Sequence, residues 1–427
     1  MRIELSIADV LAFDSYGNNP YKLVGGFCLI GRNMQGVSKI VLITLTAMVT
    51  LSGFAAVVFA KPPRASWTFM VYLDADNNLD PYGPLNIQQM SNGLTAEANI
   101  NVIVLVDRLE QPAYLCKVTR NRVEVVLSLG EVDMGSWETL SWFVEYTLKK
   151  CPAEHYILDL WDHGGGYRGV CWDESSGNHL SPHDIEMALA KAEQKTGTKV
   201  DIVGFDACLM GMIEVCYELK DETNIVIGSE MLIPGYGWPY ESIMSYLSTN
   251  PNVDPRTLSE EIVRQYVNYY INMKSIYFVQ LSAIDETAVP KMAESLNTFA
   301  DHLSQNIVTY KGVIAGARGV AQQKFIMGTM GAYYYIDLYK FADVIREKAD
   351  DDILDALASS LMEKMTAMVF AERHINPQGN LDAKQFGLTI NFPPNIQTYS
   401  SGYETYVQCF VAETTWLNLL MTYYKAA

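Results

Sequence analysis

The chain has 427 residues, long enough for one large core or two modest ones, and a formal net charge of -18. Half of it is hydrophobic and a fifth charged, the balance of a folded protein rather than a disordered one. The acidic excess excludes a basic stripe for phosphates, and with it a nucleic-acid binder; it favours basic ligands such as Lys- or Arg-bearing substrates. Seven cysteines (Cys28, Cys116, Cys151, Cys171, Cys208, Cys216 and Cys409) include no Cys-x-x-Cys pair and no dense disulfide spacing. A zinc ribbon or thioredoxin-type site is therefore not expected, and most of the thiols read as small buried hydrophobes.

The first element is apolar. Ile40 to Ala60 carries no charge, with Lys39 before it and Lys61-Pro62-Pro63-Arg64 after it. Such a run can span a bilayer, and Val58-Phe59-Ala60 puts small residues where a signal peptidase reads. The expectation is a cleaved signal peptide or a retained anchor, with the body outside the cytoplasm. Met34 to Lys39 would serve as the basic leader if Met34 is the start, and residues 1–33 as an upstream extension. No second apolar run of membrane length follows.

Residues 67–74 read as a buried strand ending in acids, followed by the loop Asp74-Ala75-Asp76-Asn77-Asn78 and a helix over 81–95. Residues 100–107 form a second strand, and 113–119 with 122–129 a hairpin turning at Asn121. Ser136 caps a helix over 137–150 with acids towards its start and Lys149-Lys150 at its end. A third strand, 156–161, runs into Asp162-His163-Gly164-Gly165-Gly166, and Ser181-Pro182 opens the next helix. A fourth strand, 200–205, enters Asp206-Ala207-Cys208 and a helix to about Leu219; 224–229 is a fifth strand. Beyond residue 250 helices are expected over 256–273, 286–306, 338–348, 352–371 and 411–424, with strand-like runs at 276–283 and 386–392. Alternating strands and helices imply a mainly parallel sheet covered on both faces. The divisions expected are 1–60, 61–250 for the chemistry, and 251–427 for a helix-rich part packed on it.

In such a sheet ligands bind at the carboxyl ends of the strands, where His163 and Cys208 both sit. A thiolate is a strong nucleophile, and an imidazole can shuttle its proton to a leaving amine. The glycines after His163 let backbone approach a substrate, and a helix beginning at Cys208 would favour an oxyanion and lower the thiol pKa. A lone Cys at a strand end is more often core. His-Gly-Gly-Gly also occurs in esterases, but the Gly-x-Ser-x-Gly elbow they need is absent. His179 and His183 lie four apart like zinc ligands, yet Pro182 intervenes and no third ligand is obvious, so no metal is expected there. Asp74, Asp76 and Asp80 lack the Gly and terminal Glu of an EF-hand. Calcium stays open, and that loop reads as turn chemistry.

Tyr156–Gly169 (YILDLWDHGGGYRG), Val200–Met212 (VDIVGFDACLMGM) and Gly228–Tyr240 (GSEMLIPGYGWPY) resemble the clostripain family of cysteine peptidases, as does the opening WTFMVYLDADNNLD. The resemblance covers roughly residues 65–250. It implies a caspase-like α/β sandwich with a Cys208–His163 dyad, an oxyanion hole from the N–H groups of Gly164 and Cys208, and Asp206 in the primary specificity pocket, where an acid suits Arg or Lys. Relatives that cleave after Arg place a second acid in the loop where this chain has Tyr236, leaving that ring to stack on a guanidinium. Relatives also often cut themselves in the loop after the His, yet Gly169 to Lys191 contains no intervening Lys or Arg, so the chain is expected to work uncut there. The competing readings are a non-catalytic caspase-like binding module and another thiol amidase or transpeptidase of the cell envelope.

Overall fold

The computed structural model describes residues 3–5, 64–274, 278–322, 334–375 and 387–426. The apolar run at Ile40–Ala60 and the start considered at Met34 lie outside them. Among the described residues no helix is long and apolar enough to cross a membrane.

Strand β1 (Ile3–Leu5) is followed by β2 (Ala65–Ala75), buried along its whole length. Its side chains alternate: Trp67, Phe69, Val71 and Leu73 enter one core, Met70 and Tyr72 the other, because successive residues of a strand face opposite ways. Helix α1 (Tyr82–Gly93) leads to β3 (Ile100–Arg108), β4 (Gln111–Thr119) and β5 (Arg122–Gly130). The β4–β5 hairpin turns through Asn121 at φ 56°, a conformation Asn tolerates. Ser136 caps α2 (Trp137–Lys150) through the Glu138 N–H. Next come β6 (Ala153–Trp161), the small hairpin β7 (Val170–Asp173) and β8 (Asn178–Leu180), and α3 (Pro182–Thr196), which opens on a Ser181–Asp184 capping box. Then follow β9 (Val200–Asp206), α4 (Ile213–Leu219), β10 (Thr223–Gly228), α5 (Tyr240–Thr249) and α6 (Pro255–Asn272). The rest of the chain gives β11 (Val279–Asp285), α7 (Val289–Gln305), α8 (Ile307–Ala321), β12 (Tyr335–Asp337), α9 (Leu338–Lys348), α10 (Asp352–Met368), β13 (Val369–Ile375) and β14 (Thr389–Asn391). It closes on α11 (Gly402–Tyr406), α12 (Gln408–Glu413) and α13 (Trp416–Lys425).

The ten-stranded sheet runs β1-β5-β4-β3-β2-β6-β9-β10-β11-β13. The five central strands, β3 to β10, are parallel, and antiparallel strands extend both edges. Helices α1, α5 and α6 cover one face, and α2, α3, α4 and most of the C-terminal helices the other. The fold is therefore the mainly parallel, helix-flanked sheet expected. The chain beyond 250 supplies two strands of this sheet as well as helices over it.

Three readings need correction. The helix expected through residue 371 stops at Met368, and Val369–Ile375 pairs with β11 instead; a sheet edge offers these residues backbone partners that no local pattern reveals. Helix α8, with Gly312, Gly316 and Gly319, and helix α5 were not expected. The helix read over 411–424 is broken at Thr414-Thr415 into α12 and α13.

Candidate active site

Strands β6 and β9 are parallel neighbours, with Trp161 paired to Asp206 in the last register position. The loops that leave them carry His163 and Cys208 and touch at once. A Cβ added to Gly164 would lie 2.1 Å from the Cys208 carbonyl oxygen and 2.7 Å from its nitrogen, so only glycine permits this approach. Cys208 does not begin a helix. Residues 207–212 form a loop, Leu209 holds φ 68°, and α4 starts at Ile213. The loop is pinned to the chain after β10 by the Leu209 N–H on the Met231 carbonyl (3.0 Å) and the Gly211 N–H on the Ser229 carbonyl (2.8 Å).

No helix end therefore acidifies the thiol. Burial pushes Cys208 up to about 11, against the lowering effect of the Ile233 and Gly164 N–H groups. The Ile233 N–H lies 3.2 Å from Sγ. Burial also lowers the His163 pKa, with Glu174 opposing it. Burial thus disfavours the charged form of each group. His163 Nε2 is 2.8 Å from Asn78 Oδ1. A carbonyl oxygen only accepts, so this contact places the proton on Nε2 and leaves Nδ1 as the basic nitrogen. Asn78 is the site residue that sequence reasoning missed; its loop was read as turn chemistry alone. Neighbouring Asn77 holds Asp162 Oδ1 at 2.7 Å and the Trp172 carbonyl at 3.1 Å.

His163, Cys208 and Asp206 line one cavity of about 240 Å³, with Trp161, Ile233 and Gly237 among its walls. Asp206 is 3% exposed. Its Oδ2 accepts from the Trp238 N–H (2.8 Å) and the Tyr240 hydroxyl (2.9 Å), while Oδ1 has no partner. The turn that presents Trp238 needs Gly237, whose φ is 67° and whose Cβ would sit 2.4 Å from Asp206 Oδ2. Asp159, underneath, shares the Tyr240 hydroxyl at 2.6 Å and accepts the Asp206 N–H at 3.1 Å. Burial first, and then repulsion from Asp159, raise the Asp206 pKa well above the carboxylate range. A cation beside Oδ1 would relieve both. Tyr236 stands at the rim rather than in the wall, 48% exposed and edge-on to Tyr82 at 5.7 Å. A wider cavity of about 580 Å³ opens on the other side of His163 and Gly164, lined by Arg168, Trp172, His179, Ser400 and Tyr406.

Asp80, grouped by sequence with Asp74 and Asp76, is taken by Arg108 at 2.9 Å. In its place Glu131 and Asp173 join Asp76, one oxygen from each lying within 4.8 Å of the others. These three could hold a hard cation. His179 and His183 part company: His179 stacks on Trp172 at 5.0 Å, while His183 faces Glu186 and Glu218.

Residues 71–423 match the model of the clostripain family. The chain is 27% identical over 409 residues to clostripain of Hathewaya histolytica, covering 79% of this chain and 76% of that protein. Among solved structures it resembles an inactive zymogen C11 protease from Parabacteroides distasonis (TM-score 0.63, 20% identity, 84% of this chain and 99% of that one). It also resembles a secreted C11 cysteine protease from Bacteroides thetaiotaomicron, solved with an irreversible peptide inhibitor (TM-score 0.61, 18% identity, 82% of this chain and 99% of that one). A match along nearly the whole described chain places it: the protein belongs to the clostripain family and is a cysteine-type endopeptidase.

Proposed function

We propose that the protein is an exported endopeptidase that cleaves after Arg or Lys, with Cys208 as nucleophile and His163 as its base. His163 Nδ1 takes the thiol proton as Sγ bonds to the scissile carbonyl carbon. The Gly164 and Cys208 N–H groups hold the oxyanion, and the same proton passes to the leaving amine. Water then adds to the thioester carbonyl as His163 takes its proton; the C–S bond breaks, the new carboxyl terminus leaves, and the proton returns to Sγ. The basic side chain enters the cavity beside Asp206 while Tyr236 at the rim stacks on a guanidinium. Export rests on Ile40–Ala60 and on the secreted relative.

The observation that carries this reading is the unpartnered oxygen of a buried acid in the cavity shared by His163 and Cys208. A carboxylate left so is costly until a cation pairs with it. The test is a set of peptides differing only in the residue before the cleaved bond. Wild type is expected to select Arg and Lys, and Cys208→Ala to be inert. Asp206→Asn is expected to lose about a hundredfold or more in kcat/KM on basic substrates while keeping its thiol's reaction with a small alkylating agent. Retained basic preference in Asp206→Asn removes the pocket role, and a wild-type preference for apolar or acidic residues removes the specificity.

A further inference from the structure

The second reactive cluster lies away from the cleft, where α3, α4 and α12 meet. His183 sits in the first turn of α3, Glu218 near the end of α4 and Cys409 at the start of α12. One ligand atom from each, an imidazole nitrogen, a carboxylate oxygen and the thiol sulfur, lies within 4.8 Å of the other two. His183 Nδ1 is 3.4 Å from Glu218 Oε2 and 3.4 Å from Glu186 Oε2, one turn along α3. These spacings are long for charge-assisted hydrogen bonds, which run about 2.7–2.9 Å; Nδ1 and Glu218 Oε2 have no close partner, and the Cys409 thiol and N–H are the groups of α12 that bear on the Glu218 carboxylate. The spacings match the edge of a tetrahedron instead: metal–nitrogen and metal–oxygen bonds of about 2.0–2.2 Å set neighbouring ligands roughly 3.3–3.5 Å apart. Glu218 is 2% exposed. Its Oε1 is fixed by the Phe410 N–H at 2.8 Å, which leaves Oε2 as the oxygen facing His183.

We propose that His183, Glu218 and Cys409 bind a zinc-class divalent cation, with the fourth position left to water. Imidazole, carboxylate and thiolate are the donors zinc accepts. A cation would neutralise the buried Glu218 carboxylate and displace the thiol proton to solvent as the sulfur–metal bond forms. It would also tie together three segments the chain keeps apart: the helix after the His163 loop, the helix after the Cys208 loop, and the C-terminal helices. That makes it a structural clamp on the face opposite α1, α5 and α6.

The test uses the full chain carrying Cys208→Ala, so that the catalytic thiol and imidazole cannot supply a rival site. After removal of metals by a chelator, Zn²⁺ is expected to bind at one equivalent and raise Tm, and Co²⁺ to give a thiolate charge-transfer band. Cys409→Ser should abolish the band, and His183→Gln should weaken zinc binding at least tenfold; circular dichroism checks that each remains folded. Because His183→Gln leaves the α12 packing alone, it decides the matter if Cys409→Ser does not fold. The proposal is overturned if the cobalt band survives both substitutions, or if His183→Gln binds Zn²⁺ as tightly as the parent chain.

Discussion

At Cys208 the controlling force is desolvation. The thiol stands at about 11 because its surroundings are dry, and two backbone N–H groups recover only part of the cost. With His163 pushed the other way, burial works against a thiolate–imidazolium pair at rest. Alkylation of the free enzyme by iodoacetamide is therefore expected to rise steadily with pH through the ordinary thiol range of about 8.5. A rate already level at pH 6 would show a preformed ion pair. On the proposed mechanism Asn78 is a positioning residue, its contact with His163 Nε2 setting which ring nitrogen carries the proton. Asn78→Ala should lower kcat about tenfold or more with KM little changed, and Asn78→Gln should restore part of it. A fall confined to KM would place Asn78 in substrate binding instead.

At the scale of elements, the proposed chemistry depends on two loops leaving adjacent parallel strands without a side chain between them. Gly164 is the point of contact. Gly164→Ala must push the Cys208 carbonyl away by more than an ångström, so kcat/KM is expected to fall by two orders of magnitude or more, since small misplacements at a reacting centre cost about a hundredfold. Both loops lie at strand ends rather than in the core, so Tm should drop by only a few degrees. A variant with normal activity would mean that the loops need not touch. The motif Asp-His-Gly-Gly-Gly was legible as a strand-end site because strand, reactive group and glycines are contiguous in the chain. Asn78 was not: its value lies in a contact with His163 across 85 positions. Nor was the start of α4. Asp-Ala-Cys-Leu-Met-Gly-Met has ordinary helix formers, but Leu209 and Gly211 bond to the chain after β10 instead of to a helix of their own.

For the molecule as a whole, burial of carboxyls sets the pH dependence. Asp107 rises to about 8 and Glu214 to about 7, both chiefly by burial. Their unfolded values are near 4, so between about 4 and 8 the folded chain holds more protons than the unfolded one. This contribution to stability is full below the unfolded pKa and is lost as pH rises through the folded values. Asp351, lowered to about 2 chiefly by its hydrogen bond from Tyr310, acts in the opposite sense and loses its contribution only in stronger acid. In chelator, Tm is expected to be higher at pH 5 than at pH 8, with the slope reduced in Asp107→Asn. A Tm that rises from pH 5 to pH 8 would contradict the burial argument.

The layered class, the parallel centre of the sheet, most helix starts and the placing of His163 and Cys208 just past neighbouring strand ends were legible in the residues alone. Each of these is written locally, in strand-length apolar runs, in caps such as Ser136 and Ser181, and in groups placed at strand ends. What each group meets was settled by packing. The free oxygen of Asp206 follows from a turn around Gly237 thirty-one positions away, and the partners of His183 come from α4 and α12 rather than from His179. Burial, which governs the charge of Cys208, His163 and Asp206 alike, is a property of everything packed around them, and no local stretch of residues encodes it.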